Sequence, residues 1–138
     1  MRRFAAALPA LLLAACAENP AGPSVLAGQE FQLRTGESVG LQGTDLRVQF
    51  EAVASDSRCP ADAVCVTLGD AEAILTVARA SGPATSLTLH TAPDKARSAN
   101  VGEWALALSR LDPYPYAGVH IAPREYRATL RADRVPGS

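Results

Sequence analysis

The chain has 138 residues, of which 48% are apolar and 20% charged, and its formal net charge is −1. A chain without a cationic excess cannot displace counterions from a nucleic-acid backbone, so nucleic acid is excluded as an expected partner. The length suits one domain with one hydrophobic core.

The first predicted element is a signal peptide over residues 1–15. Arg2 and Arg3 form a short basic segment, an apolar segment follows, and small residues close it just before Cys16. As a helix, the apolar residues 4–15 would extend about 18 Å, which is short of the ~30 Å hydrocarbon core of a bilayer. We therefore predict an export signal and not a membrane span.

The end of this segment, Leu-Ala-Ala-Cys at residues 13–16, resembles the bacterial lipobox. The resemblance implies that the Cys16 thiol is alkylated by a diacylglycerol and that a peptidase then cuts on its N-terminal side. The protein would be anchored in the membrane of the bacterial cell envelope through this lipid. Ala17 follows in place of Asp, which implies the outer membrane, facing the periplasm, in a Gram-negative cell. Ordinary secretory cleavage near Ala15 is the alternative.

Residues 16–29 are rich in Ala, Pro and Gly and show no period that could bury a face. We expect a flexible, lipid-bearing tether with an average reach of about 20 Å. Removal of residues 1–15 would leave 11 basic against 14 acidic side chains, a net charge of −3. A single domain is expected over residues 30–138.

From residue 30 onward apolar and polar residues alternate with a period of two, between clusters of Gly, Pro, Asn and Asp. The alternation predicts an all-β fold with about seven strands, an antiparallel β-sandwich of immunoglobulin-like size or a small barrel. Trp104 is expected to be the largest core residue. The other predicted core residues are Phe31, Leu33, Val39, Leu41, Leu46, Val48, Phe50, Leu75, Val77, Leu87, Leu89, Leu106, Leu108, Tyr126, Ala128 and Leu130.

Two stretches allow more than one interpretation. Residues 69–82 contain good helix formers, but their apolar run is almost unbroken, and Thr76 and Val77 favour a strand. Residues 92–103 are expected to form a long loop with room for one helical turn.

Cys59 and Cys65 form an even pair in a chain expected in an oxidising compartment, which favours a disulfide. A zinc site needs about four ligands, and the chain adds only the scattered His90 and His120 to these thiols. Thioredoxin-like dithiols have two intervening residues, whereas five intervene here. We predict a structural disulfide, with no metal and no cofactor.

Around these cysteines the sequence resembles a family of uncharacterised small bacterial lipoproteins. The shared features are a DSRCP segment, here residues 56–60, then a second cysteine, Cys65, and a Gly-x-Ala, here residues 69–71. The resemblance spans about seventeen residues, with weaker likeness in DPYPY and the final YRATLRA. It implies an envelope location and a β fold, and it implies no particular activity.

Residues near the cysteine pair are candidates for recognition. Asp56, Arg58 and Asp62 are polar and unneeded for an apolar core. Tyr114 and Tyr116 could offer contact area at low entropy cost, and the alternative is that they pack within a loop stiffened by its prolines. We expect changes at the three polar residues to weaken a partner's binding while stability barely moves.

Calcium binding by Asp56, Asp62 and Asp70 stays open, although their spacing fits no EF-hand loop and Asp is common in turns. No G-x-S-x-G motif is present, and both histidines are expected to be exposed strand residues, so no catalytic residue is predicted. The favoured function is a noncatalytic module that binds or scaffolds an unknown envelope protein or small ligand. The alternative is an envelope enzyme, or a protease-inhibitor-like domain acting through loop 59–65.

Overall fold

The computed structural model describes residues 22–137, and these form two packed β-sheets. The described strands are β1 (Ser24–Leu26), β2 (Glu30–Arg34), β3 (Ser38–Gln42), β4 (Leu46–Asp56), β5 (Ala71–Arg79), β6 (Thr85–His90), β7 (Ser98–Val101), β8 (Trp104–Asp112) and β9 (Arg127–Arg134). One 3-10 turn, Pro123–Glu125, precedes β9. No helix in the described part of the chain is long and apolar enough to cross a membrane.

The two sheets are built mainly from antiparallel neighbours. The first has the order β1-β3-β4-β5-β6, and the second has the order β2-β9-β8-β7. Only the pair β1 and β3 is parallel among the described strands. The sheets face each other without closing into a barrel, so the predicted β-sandwich is confirmed. Residues 22–137 contain nine strands where about seven were expected, because β1 and β7 are too short to show a clear alternation.

The core lies between the sheets and follows the period of two. Every second residue of β5, from Ala71 to Val77, is buried, which confirms a strand where helix formers competed. In β4 the alternation Leu46, Val48, Phe50 holds until the pairing with β5 shifts after Phe50. The shift changes which residues face the core, so that beyond it Val53 packs against the core while Glu51 and Ala54 are exposed.

Most predicted core residues are buried, but Trp104 is not fully covered. It is the first residue of β8 and lies opposite Arg134 and Val101 at one end of the sandwich, where it packs against the core with part of the indole exposed. Leu87 is also half-buried. The largest fully buried side chains are instead Phe50, Leu33, Leu75, Leu89, Leu111 and Leu130.

The domain begins before residue 30, which corrects the predicted extent of the tether. Strand β1 pairs with β3 through residues 24–26, and the Pro23 carbonyl accepts a hydrogen bond from the Gly40 amide at 2.9 Å. Gly22 lies beside the side chain of Arg47. The predicted signal peptide and Cys16 lie outside the described residues.

Three connections meet at one end of the sandwich, which we call the loop end. They follow β4, β6 and β8 and comprise residues 57–70, 91–97 and 113–126. Strand β4 runs toward this end from Arg47, which pairs with Ala78, to Asp56, which pairs with Ala71. Along β5 this distance is seven residue steps, about 23 Å at ~3.3 Å each. Strand β1 is parallel to β3 and β3 is antiparallel to β4, so β1 runs away from the loop end.

Candidate recognition loops

Two long loops at the loop end contain all five residues that the sequence put forward for recognition. We call residues 56–70 the disulfide loop and residues 113–122 the tyrosine loop. The Ala61 amide donates to the Pro115 carbonyl at 2.9 Å, and the Ala117 amide donates to Asp62 Oδ1 at 2.8 Å. These bonds join the loops across more than fifty residues of sequence.

The disulfide loop is closed at its base by a disulfide and by two backbone hydrogen bonds. Cys59 and Cys65 form the predicted disulfide, with Cα atoms 5.9 Å apart. The Cys59 amide also donates to the Leu68 carbonyl at 2.8 Å, and the Ser57 amide donates to the Asp70 carbonyl at 2.7 Å. The prediction of a disulfide is confirmed, and the hydrogen bonds hold the ends of the loop together independently of it.

Gly69 is required by this close approach of the two ends. Its φ is +69°, in the left-handed region that favours glycine, and a Cβ at this position would lie 1.8 Å from the Ser57 carbonyl oxygen. A side chain cannot be accommodated there without opening the base of the loop.

Arg58 joins the two loops from inside. Its Nε and Nη2 donate to the two carboxylate oxygens of Asp56 at 2.8 and 2.6 Å, while Nη1 and Nη2 donate to the carbonyls of Leu111 and Pro113 at 2.7 and 2.9 Å. The Tyr126 hydroxyl donates to Asp56 Oδ2 at 3.0 Å. We call this set the Arg58 clasp.

The Arg58 clasp is mostly buried, and the positive charge of Arg58 is balanced by the negative charge of Asp56. Side-chain exposure is 5% for Arg58 and 11% for Asp56. Burial by itself raises the pKa of Asp56, but the hydrogen bonds and charge of Arg58, with the Tyr126 hydroxyl, outweigh it and lower the pKa. Burial, together with the neighbouring Asp56 carboxylate, raises the pKa of Tyr126 to about 12. The clasp therefore carries one buried ion pair at neutral pH.

A second buried carboxylate, Asp70, follows Gly69 at the base of the disulfide loop. It accepts hydrogen bonds from His90 Nδ1 at 2.6 Å, Lys95 Nζ at 3.0 Å, and the amides of Thr91 and Ala92 at 3.1 and 3.0 Å. Burial alone raises the pKa of Asp70, but these donors outweigh it and hold the pKa well below its usual range. We call this set the Asp70 cluster; it fixes the loop to the residues after β6.

The three aspartates considered as calcium ligands, Asp56, Asp62 and Asp70, do not form one site among the described residues. Asp56 and Asp62 are held by separate partners, as described above. Among the described residues, the potential metal ligands that do meet are Asp70, Glu72 and His90, within 4.8 Å of one another. Lys95 and His90 both contact Asp70 Oδ2, so a cation at this position would compete with an ammonium group for the same oxygen.

Both histidines were predicted to be exposed strand residues, and each fits only half of that prediction. His90 ends β6 and is held by Asp70, with only 19% of its side chain exposed. His120 is exposed as expected, but it lies in the tyrosine loop and not in a strand. Neither the sequence period nor the neighbouring residues indicate the contact between His90 and Asp70, because the two are twenty positions apart.

The structure separates the predicted recognition residues into two groups. Asp62, Tyr114 and Tyr116 are exposed at the loop end. Arg58 is buried and Asp56 is nearly so, which corrects the expectation that their side chains are free to contact a partner and unneeded for packing. Their role is to hold the loops in place.

The most exposed large apolar side chains of the described residues were not predicted from the sequence. Val64 and Val66 are fully exposed, and Leu68 is 71% exposed, all within the disulfide loop. Tyr114 and Tyr116 of the tyrosine loop are about half exposed. We call these five residues the apolar tip. The available signal was that four of the five residues 64–68 are apolar although they lie in a turn-rich segment.

Comparison with protein-family models, with curated proteins and with solved structures gave no match for this chain. The arrangement of the two loops is therefore interpreted from its own chemistry.

Reduction of the Cys59–Cys65 disulfide is expected to loosen the disulfide loop and leave the domain folded. Closing so short a ring stabilises by roughly 2 kcal/mol, which is less than the ~5–15 kcal/mol stability of a typical domain. The hydrogen bonds of the Arg58 clasp and of the Asp70 cluster do not involve either cysteine. Amide hydrogen exchange with and without reductant measures this effect. Faster exchange confined to residues 59–68 is expected, and cooperative unfolding on reduction would contradict it.

Proposed function

We propose that the chain is a lipid-anchored protein of the bacterial cell envelope, placed in the outer membrane facing the periplasm in a Gram-negative cell. Its β-sandwich is a noncatalytic module that binds or scaffolds another molecule of the envelope. The lipobox-like ending at Cys16 supports the anchor. The observation that carries the binding role is the pair of exposed loops held rigidly at one end of the sandwich.

The chemistry of the buried polar groups favours binding over catalysis. A catalytic acid or base needs a free position from which it can reach a substrate. The carboxylates of Asp56 and Asp70 are instead saturated by donors from this chain. Their side chains stabilise the geometry of the loops.

A second candidate is a protease-inhibitor-like domain. Residues 61–68 are all exposed and are closed by the disulfide, as a loop that enters a protease cleft must be. The segment contains no Lys or Arg, so a protease with an apolar specificity pocket is the appropriate target. Titration of elastase-like and subtilisin-like proteases with the purified protein tests this. Stoichiometric inhibition would favour the inhibitor, and rapid cleavage within residues 61–68 would exclude it.

Replacing Cys16 by alanine is expected to abolish lipid attachment and release the protein from the membrane fraction. Without the thiol there is no acceptor for the diacylglycerol, and a dozen apolar residues are too few for a stable span. Labelling with radioactive palmitate, followed by fractionation, measures both effects. The double variant Cys59→Ala/Cys65→Ala is the matched control and should keep its label. Unchanged membrane association of Cys16→Ala would contradict the anchor.

A further inference from the structure

We propose that an open cleft at the loop end binds a phosphate monoester. The cleft has a volume of about 500 Å³ and lies on the outer face of the second sheet, where the end of β2 meets the start of β9. The residues that line it are Arg34, Asp112, Pro113, Arg124, Glu125 and Arg127. This inference goes beyond the proposed function, and it depends neither on the lipid anchor nor on the apolar tip.

Two of the lining arginines lie directly opposite each other on neighbouring strands. Arg34 at the end of β2 pairs with Arg127 at the start of β9, so both exposed side chains leave the same face of the sheet. Residues paired in this way have Cβ atoms about 5 Å apart, and like charges at such positions destabilise a sheet. The next pair, Leu33 and Ala128, is buried and fixes the register. A neutral residue would relieve the repulsion without changing the core, so folding does not account for the two charges.

The guanidinium groups of the cleft have no partner among residues 22–137. No hydrogen bond or ion pair in this part of the chain involves the side chain of Arg34, Arg124 or Arg127. The nearby Arg110 and Arg131, by contrast, are each paired with an aspartate two positions along the same strand. Three cations without an anion are therefore gathered around one cleft.

The two carboxylates of the lining do not neutralise these arginines. Asp112 lies opposite Arg127 on β8, but its Oδ2 accepts a hydrogen bond from Arg110 Nε at 2.7 Å. Glu125 accepts a hydrogen bond from the Ala122 amide within its own turn. Because Asp112 is balanced by Arg110, the remaining charge of Glu125 leaves an excess of two positive charges in the cleft.

The number and the kind of these cations favour a phosphate monoester over a carboxylate. Each guanidinium group offers five N–H donors in a planar fork that matches the oxygens of either anion. A carboxylate has one charge and two oxygens, which one or two such forks satisfy. A phosphate monoester has a charge of about −1.5 to −2 at neutral pH and three acceptor oxygens. It therefore matches both the excess charge and the three guanidinium groups.

The cleft is held in shape from two sides before a ligand binds. The Thr35 hydroxyl donates to the Pro123 carbonyl at 2.8 Å, and the Thr35 amide donates to the Tyr126 carbonyl at 3.2 Å. These bonds hold the 3-10 turn against the residue that follows β2. On the other side, the Arg58 clasp donates a hydrogen bond to the Pro113 carbonyl at 2.9 Å. A site that is already ordered loses less entropy on binding.

Calorimetric titration of the purified full-length protein in non-ionic detergent tests the inference. The probe is glycerol phosphate, and acetate is the carboxylate control. We expect saturable binding of glycerol phosphate at one site and binding of acetate that is weaker by about tenfold or more. Arg34→Gln and Arg127→Gln should each weaken glycerol phosphate binding by about tenfold or more, because each removes a charge-assisted contact. Arg131→Gln, on the same face of β9 but paired with Asp133, is the matched control and should leave the affinity unchanged.

Thermal unfolding of the same variants separates a binding role from a structural one. Removing one of two opposed cations relieves their repulsion, so the unfolding temperatures of Arg34→Gln and Arg127→Gln should equal or exceed that of the wild type. A lower unfolding temperature would show that the two guanidinium groups support the fold, and it would overturn the inference.

A soluble short-chain lipid distinguishes the two sources of such a phosphate. Dihexanoylphosphatidic acid presents the same phosphate monoester as a lipid headgroup. If it binds more tightly than glycerol phosphate and the binding is lost in Arg127→Gln, the ligand is a lipid headgroup; equal or weaker binding assigns the site to a soluble phosphate ester. No saturable binding of either compound, equal binding of acetate, unchanged affinity in Arg34→Gln and Arg127→Gln, or an equal loss in Arg131→Gln would each overturn the inference.

Discussion

Replacing Arg58 by alanine is expected to lower the free energy of unfolding by about 3–5 kcal/mol at pH 7. The change leaves the Asp56 carboxylate, only 11% exposed, with the Tyr126 hydroxyl as its remaining side-chain donor. It also removes the donors that serve the carbonyls of Leu111 and Pro113. Removing one member of a buried ion pair is strongly destabilising because the other charge stays buried without compensation. Urea and thermal unfolding followed by circular dichroism measure the loss.

Arg110→Ala is the matched control for this experiment. Arg110 also pairs with an aspartate two positions away, Asp112, at 2.7 Å, but its side chain is 65% exposed. A pair in solvent contributes little, so a change within about 0.5 kcal/mol is expected. The double variant Asp56→Ala/Arg58→Ala should be less destabilised than the sum of the two single variants, because it leaves no unpaired charge. Equal effects of Arg58→Ala and Arg110→Ala would show that the clasp does not stabilise the domain.

The variant Asp70→Asn is expected to lose about 2–4 kcal/mol at pH 7, and the loss should shrink as the solution is acidified. An amide has a single acceptor oxygen and no charge, so it cannot satisfy His90, Lys95 and the Ala92 amide together. The folded-state pKa of Asp70 lies well below the ordinary value near 4 of the unfolded chain. The carboxylate therefore stabilises the fold above about pH 4, and this contribution disappears as the pH falls toward the folded-state pKa.

Unfolding free energies of the wild type and Asp70→Asn measured from pH 7 to pH 2 test this expectation. The wild type should lose more stability than the variant over the acid range, so the two curves approach each other. Asp94→Asn, in the neighbouring connection 91–97 and exposed, is the control and should change stability by no more than about 0.5 kcal/mol. Parallel curves for the wild type and Asp70→Asn would contradict the proposed role of the Asp70 carboxylate.

The sequence predicts the strands of the sandwich well where the alternation is long. Strands β4 and β5 each bury alternate residues over at least five positions, so their period is visible without the structure. Strand β1 has three residues and lies in a Pro- and Gly-rich segment, and β7 has four. Their pairing depends on the neighbouring strand that they meet in the fold, which no local pattern specifies.

The candidate site could be predicted only in part, for the same reason. The disulfide follows from the cysteine count and the expected compartment, both of which can be judged locally. That Arg58 is buried depends on carbonyls 53 and 55 positions away, so composition alone suggests an exposed polar residue. Trp104 illustrates the reverse error, because size and apolarity favour burial while its place at the start of β8 leaves the indole partly open.

The short strand β1 has a consequence for proteins crowded on one surface. It covers the edge of β3 for three residues, and the residue before it, Pro23, has no amide hydrogen to offer another chain. Open strand edges invite pairing between molecules, and short or proline-flanked edges discourage it. If lipid confines many copies to the same leaflet, their collisions are frequent and their orientations are shared. A guarded edge would then keep neighbouring copies from joining sheets and starting aggregation.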